Sequence, residues 1–258
     1  MDHPRIVLLC SNSESSRSVY AALREHFGRI TVVREESGSR WLFLKRRIRR
    51  LGVLTVLGQV LFAAIAVPVL KRLSRRRIDE IHQQYGLTRD PVEGSDVIAV
   101  ESVNSDAARA ALREAAPDVV VVNGTRIIGE KTLSAVDVPF INAHHGVTPL
   151  YRGVHGGYWA LADRHPELVG TTIHYVDRGI DTGRIIRQVH FDVSPRDSFV
   201  TYPYLHTGEV LPELLHTVEE ILASKRPAQP QPSELPSQLR THPTIWGYLG
   251  RRMLRGVR

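Results

Sequence analysis

Residues 117–124 read PDVVVVNG. Four consecutive valines between a proline and a glycine are too few for a helix, and β-branched side chains favour extended backbone. A run with no polar alternation is buried on both faces, the position of a central strand in a parallel sheet. Working outward, Arg5–Cys10, Ile30–Val33, Val97–Val100 and Phe140–His144 read as further short strands. Ser15–Phe27 carries Val19, Leu23 and Phe27 at helical spacing, and Asp106–Ala115 sets Ala107, Ala111 and Leu112 on one side. Strands alternating with helices predict an α/β fold with a mainly parallel open sheet. Ligands in such sheets sit beyond the carboxyl ends of the strands. Functional residues are therefore expected just after Cys10, Val122 and Ile141.

Further on, Thr171–Val176 and Ile185–Val193 are β-rich runs around a tight glycine-containing turn. Asp197–Ser224 reads as helical, with Pro203 and Pro212 expected to start or interrupt its pieces. Five prolines between Pro227 and Pro243 predict an extended linker, and Thr244–Arg258 is a basic tail with Trp246 and Tyr248. The division that results is a catalytic domain over 1–225, with a helical insert at 40–90 after strand two, and a proline-rich linker and tail over 226–258.

The net charge of +7 is unevenly spread. Ten of the 34 basic residues lie between Arg40 and Arg76 with no acidic one, so the rest of the chain is slightly negative. A single cysteine, Cys10, excludes an intrachain disulfide, and the N-terminus lacks the charge and apolar pattern of a secretory signal. A cytoplasmic protein is expected. Within the basic insert, Leu51–Leu70 is uncharged and as long as a membrane span. One crossing is not expected, because strands before and after it belong to one sheet. Two readings stand: a helical hairpin packed on the core or at an interface in a homo-oligomer, and an interfacial element whose arginines meet an anionic membrane surface, peripheral to its inner face. Nucleic acid is not expected as a partner, since pure aliphatics without aromatics separate the basic clusters.

The chemistry concentrates between Pro117 and Gln188. Asn142 and His144 lie two residues apart on a strand, so their side chains share a face. Asp181 sits in a second loop, DRGIDTG at 177–183. A carboxylate that reaches an imidazole orients it and favours its charged form. Asn, His⁺ and Asp together suit a reaction in which an oxyanion develops while an amine loses a proton. Taken singly, each has an ordinary explanation: a turn former, an exposed loop residue, an Asx turn. His145 beside His144 hints at a metal pair, but adjacent strand residues face opposite ways and no third ligand follows, so no metal is expected.

The set Asn142-Ala-His144, Thr148-Pro149-Leu-Tyr151-Arg152-Gly153 and Asp177-Arg-Gly179-Ile-Asp181-Thr-Gly183 resembles the formyltransferase family, which includes the methionyl-tRNA, glycinamide ribonucleotide and nucleotide-sugar N-formyltransferases. The resemblance runs from about Val97 to Val189 and extends to strand one. It implies a Rossmann-like domain that uses N10-formyltetrahydrofolate as co-substrate. Asn142 and His144 would hold the formyl oxygen, and Asp181 would orient or charge His144 and help take the amine proton. Thr125, Arg126, Ile127 and Ile128 match the segment that lines the folate slot, and Val176, Asp177 and Gly179 would form its other wall. Ile128 has a core-packing explanation as well. Ser11, Asn12 and Ser13 match a loop that holds a substrate phosphate in some relatives, although a helix N-cap explains them equally. Tyr151 and Arg152 fall on the acceptor side. His145-Gly146 departs from the small residue and serine of many relatives, which puts the acceptor side of the pocket in question.

The implied activity is N-formylation of a primary amine, small or nucleotide-linked, such as an amino sugar. An initiator tRNA is disfavoured because a linker and short tail stand where those relatives carry a sizeable domain. A formyltetrahydrofolate deformylase and a non-catalytic membrane-peripheral protein on the same fold are the alternatives.

Overall fold

The computed structural model describes residues 4–36, 38, 40–94, 96–229, 231 and 236–258. The first unit runs β1 (Ile6–Ser11), α1 (Glu14–Phe27) and β2 (Ile30–Glu35). The insert follows as α2 (Arg40–Leu51), α3 (Val53–Leu61), a π-helical stretch at Phe62–Ala66, α4 (Val67–Leu73) and α5 (Arg75–Tyr85). Next come β3 (Val97–Val100), α6 (Asp106–Ala115), β4 (Val119–Asn123), the short α7 (Glu130–Leu133) and β5 (Phe140–His144). The last part contains β6 (Arg152–Gly153), α8 (Gly156–Ala162), β7 (Gly170–Tyr175), β8 (Ile185–His190), α9 (Tyr202–Leu222), β9 (Leu239–Arg240) and α10 (Ile245–Arg255).

The main sheet has the order β3-β2-β1-β4-β5-β7-β8. Its first five strands are parallel, and β7 and β8 are antiparallel to their neighbours. The valines of β4 face both sides, as the unalternated run predicts. Val119 and Val121 join one core with Ile6, Leu8 and Cys10, while Val120 and Val122 join the other with Val7 and Leu9. α1, α9 and the insert cover the first face; α6 and α7 cover the second. The strand order reverses between β1 and β4, so the connections leaving their carboxyl ends run to opposite faces of the sheet and leave a crevice.

Two expectations change. Pro212 does not interrupt α9, which runs unbroken over 21 residues, although Pro203 does sit in its first turn. The residue one turn before Pro212 is Gly208, flat against the Tyr85 ring. Packing against α1 and α5 holds the helix through the missing N–H. The region read as linker and tail is also anchored. Residues 230 and 232–235 of the linker lie outside the described residues, but β9 pairs with β6 in parallel. α10, capped by the Thr244 hydroxyl, sends Tyr248 into the main core, and Val257 beyond it joins the same cluster.

The insert is a set of helices lying on the domain. α3 packs inward through Val56, Gly58 and Gln59, and Phe62 at the start of the π-helical stretch lies edge-on to Phe199. The wider π turn lies just ahead of Pro68 and gives room for a ring that an ordinary helix interior would exclude.

Candidate active site

A cleft of about 540 Å³ opens at the carboxyl ends of β1, β4 and β5. His144 ends β5, fully surrounded by protein. Its Nδ1 lies 3.3 Å from Asp181 Oδ2, and its Nε2 lies 2.8 Å from the Tyr151 carbonyl oxygen. Both ring nitrogens thus face acceptors, and only the doubly protonated ring donates to both. Burial works against that charge and holds the His144 pKa below its ordinary value, opposed by the Asp181 carboxylate and the Tyr151 carbonyl. Asp181 is buried too, which alone would raise its pKa. The neighbouring His174, the charge of His144 and the Gly153 N–H outweigh burial and keep the carboxyl below its usual range. The carboxylate favours the charged ring, but burial outweighs that attraction, so His144 carries a proton on both nitrogens less readily than an ordinary histidine.

The loop that delivers Asp181 is built by its own motif. Asp177 accepts from the Gly179 N–H at 2.9 Å and from the Thr182 hydroxyl at 2.7 Å, closing the turn. Gly183 is required by space: a Cβ there would lie 1.6 Å from the Tyr175 carbonyl oxygen. Asp181 itself has φ +51°, a left-handed backbone that aspartate tolerates better than most residues. From the opposite side the Gly153 N–H donates to Asp181 Oδ2 at 2.9 Å. The N–H groups of Arg152 and Val154 point the other way, to Gln238 and Arg240 carbonyls. One short strand thus ties the carboxylate to the C-terminal segment.

His174 escapes a reading of sequence alone. It lies directly opposite Asn142 across the antiparallel β5–β7 pair. Its Nδ1–H donates to the Tyr175 carbonyl at 2.8 Å, which leaves Nε2 to accept from the Asn142 amide at 3.2 Å. The same Nε2 is 3.7 Å from Asp181 Oδ1. His174 therefore orients the Asn142 amide, and it sets that amide beside the Asp181 carboxylate. Strand alternation in TTIHY reveals its face, but only the register with β5 reveals its partner.

Asn142, His144 and Asp181 all line the cleft, and so do Thr125, Arg126, Ile127, Ile128, Val176, Asp177 and Gly179. The segment after β4 is fixed from behind by Glu35, a buried carboxylate missed in the sequence. Glu35 accepts from the Val103 N–H at 2.9 Å and the Arg126 N–H at 3.0 Å. The Arg126 guanidinium is engaged with the Glu36 and Glu101 carbonyls. The N–H and C=O of Ile128 have no partner among the described residues, so this wall offers backbone donor and acceptor groups beside apolar side chains.

The acceptor-side residues divide. Ser13 lines the cleft, but its hydroxyl also caps α1 by accepting from the Ser16 N–H at 3.1 Å. Ser11 and Asn12 do not line it. Tyr151 lies in the core, and its contribution to the site is the backbone carbonyl under His144. Arg152 borders a separate small cavity with Thr182 and Gln231. The side chains of Tyr151 and Arg152 are thus set apart from the main cleft, because the tight turn at Gly146 buries the following loop. A Cβ at Gly146 would meet the Tyr151 carbonyl at 2.3 Å. His145 leaves the β5 face and stacks on His206 at 4.9 Å. His155, also on the cleft wall, shares a proton with His242 across 2.9 Å.

The formyl transferase family profile matches residues 70–207, more than half of the chain and all of these loops except the one after β1. The chain belongs to the formyl transferase family. It is 31% identical over 180 residues to a methionyl-tRNA formyltransferase from Anaeromyxobacter dehalogenans, an alignment that covers 63% of this chain and 57% of that one. A methionyl-tRNA formyltransferase from Corynebacterium diphtheriae is 34% identical over 122 residues, 47% of this chain and 38% of that one. The chain thus spans about half the length of the curated relatives it matches. Among solved structures, a sugar N-formyltransferase from Shewanella superimposes over 91% of this chain and 76% of its own, with a TM-score of 0.55 at 16% identity. A glycinamide ribonucleotide transformylase from Symbiobacterium toebii covers 87% of this chain and 90% of its own, with a TM-score of 0.56 at 17% identity. These likenesses are of fold, and they extend to the α/β architecture of the formyltransferases.

Proposed function

We propose that this chain is an N10-formyltetrahydrofolate-dependent N-formyltransferase whose acceptor is a primary amine on a small or nucleotide-linked amino sugar. The observation that carries the reading is the Asn142–His174–Asp181–His144 network at the mouth of one cleft. The folate co-substrate supplies an activated formyl group. The cleft wall from Thr125 to Ile128, with its unpartnered backbone groups, faces Val176, Asp177 and Gly179 and suits a flat, polar-edged ring. The Asn142 amide keeps a second N–H, beyond the one given to His174, to donate where negative charge develops on the formyl oxygen; His144, whose two nitrogens face Asp181 and the Tyr151 carbonyl, supplies positive charge beside it when protonated. Asp181 favours that charge and is a carboxylate on the cleft wall that can take the proton the amine must lose. No covalent enzyme adduct is needed, since orientation and electrostatics suffice for an activated donor.

Ser13, the N-cap of α1, and Ser15 in its first turn border the same cleft, and hydroxyls at a helix N-terminus suit the phosphates of a nucleotide-linked substrate. A second reading, with methionyl-tRNA as acceptor, is favoured by the 31% identity to proteins of that name. We propose a reducing, cytoplasmic setting, with which a single free, buried cysteine, Cys10, is consistent. The test is tetrahydrofolate release from formyl-folate with a panel of amino-sugar nucleotides, other small amines and initiator methionyl-tRNA. Release that depends on an amino sugar supports the proposal. Release that depends only on the tRNA selects the second reading, and formate release without any amine indicates a deformylase. Full turnover in both His144→Ala and Asn142→Ala would remove the catalytic assignment.

A further inference from the structure

The uncharged stretch Leu51–Leu70 does more than fill the core. Val53–Leu73 is a continuous helical path of 21 residues, long and apolar enough to cross a membrane by length and composition. Its inner stripe (Val56, Gln59, Phe62 and Leu70) packs on the domain. Its outer stripe is Val53, Leu54, Leu57, Val60, Ala63, Ala64, Ile65, Pro68 and Val69, and no polar side chain is exposed between 52 and 70. Water-facing helix surfaces of soluble proteins are polar, so this stripe is an unpartnered face. α10 enlarges it. The Trp246 ring lies over Gly58, where a Cβ would approach within 2.4 Å. That crossing packs α10 against α3, and α10 adds the exposed apolar side chains of Trp246, Leu249, Met253 and Leu254; Leu54 and Leu254 are 74% and 82% exposed.

Charge selects the occupant. Lys45, Arg46, Arg49 and Arg50 stand exposed before the stripe, and Lys71, Arg72, Arg75 and Arg76 after it. Arg252 and Arg255 flank Met253 and Leu254 on α10. Among the described residues Lys45, Arg46, Arg49, Arg50, Lys71 and Arg72 have no ion-pair partner, and no acidic residue lies between 40 and 76. A second copy of the chain would bring these clusters against one another. An anionic bilayer satisfies both halves, taking the apolar stripe below its headgroups and the cations among them. A crossing is excluded by topology, because β2 and β3 on either side of the insert pair in one sheet.

We propose that the α3–α4 and α10 face is a monotopic docking surface for an anionic lipid bilayer, with the helix axis in the plane of the membrane. This goes beyond the formyl-transfer reading and does not depend on it. The test is flotation of the full chain with phosphatidylcholine vesicles, with and without phosphatidylglycerol as about one third of the lipid. Trp246 is 50% exposed at this face and reports docking in the unaltered protein; Trp41, 69% exposed, lies on α2, and Trp159 is buried. The expected result is co-flotation with the anionic vesicles only, a blue shift of tryptophan emission, and weakening with added salt. Leu54→Glu with Leu254→Glu should reduce the apparent affinity by at least about tenfold, since each adds a charge at headgroup depth. Equal emission with and without anionic vesicles overturns the proposal. So does a dimer in solution that shows no vesicle binding and is split by Leu54→Glu, which would make the face a contact between copies. Binding to RNA with no binding to vesicles overturns it as well.

Discussion

Asp181→Asn is the substitution that bears most directly on the chemistry. Asparagine keeps the shape of the carboxylate and its ability to accept the Gly153 N–H, and removes only the charge. Unit charges 3.3 Å apart attract by about 5 kcal/mol at an effective dielectric near 20. The cost of keeping a charge in this buried setting offsets part of that attraction. A net loss of about 3 kcal/mol then corresponds to a fall in kcat of roughly a hundredfold. The carboxylate also raises the His144 pKa against burial. Removing it lowers that pKa further, so the limb of the pH–rate profile on which His144 loses its proton moves toward acid. The assay is tetrahydrofolate release under saturating amine across pH, with folate affinity measured separately by fluorescence. Folate affinity should change little, because the walls from Thr125 to Ile128 and from Val176 to Gly179 are untouched. A kcat within about threefold of the parent, or an unmoved pH profile, would refute the coupling between the imidazole and the carboxylate.

His174→Ala leaves the Asn142 amide without its acceptor, and kcat should fall about tenfold to a hundredfold with KM for the amine nearly constant; a pure KM effect would assign His174 to binding instead. Stability should decline in acid: burial holds His145 and His242 near about 4 and His155 near about 3. The unfolded chain binds more protons than the native one between those values and 6.5, so the stabilisation is complete above about pH 6.5 and is lost as pH falls through the folded values. Thermal midpoints that stay flat from pH 7 to 4 would contradict this.

The central sheet was readable because its signal is local. Val119–Val122 marks a doubly buried strand without reference to anything else, and Asp106–Ala115 and Phe140–His144 begin and end where their patterning places them. The side chains that meet in the cleft were readable where one motif contains them, as in the loop from Asp177 to Gly183. What escaped is what depends on pairing between distant segments. His174 gains its role from facing Asn142 across the sheet, and Glu35 from reaching over to Arg126, 91 residues later. Tyr151 and Arg152 look like acceptor contacts in sequence, yet the turn at Gly146 folds their side chains away. The prolines around 227–243 signal an absence of helix correctly, but composition says nothing about the two residues there that form a strand with Arg152–Gly153.

That small strand pair has a consequence for biosynthesis. A chain emerging from the ribosome carries Asn142, His144 and Asp181 well before it carries Leu239 and Arg240. Until Leu239 and Arg240 follow, the peptide that presents the Gly153 amide lacks the strand partner that sets its orientation toward the aspartate. The carboxylate therefore gains its full set of fixed donors only after a segment some sixty residues downstream of it (Asp181 to Arg240) has been made.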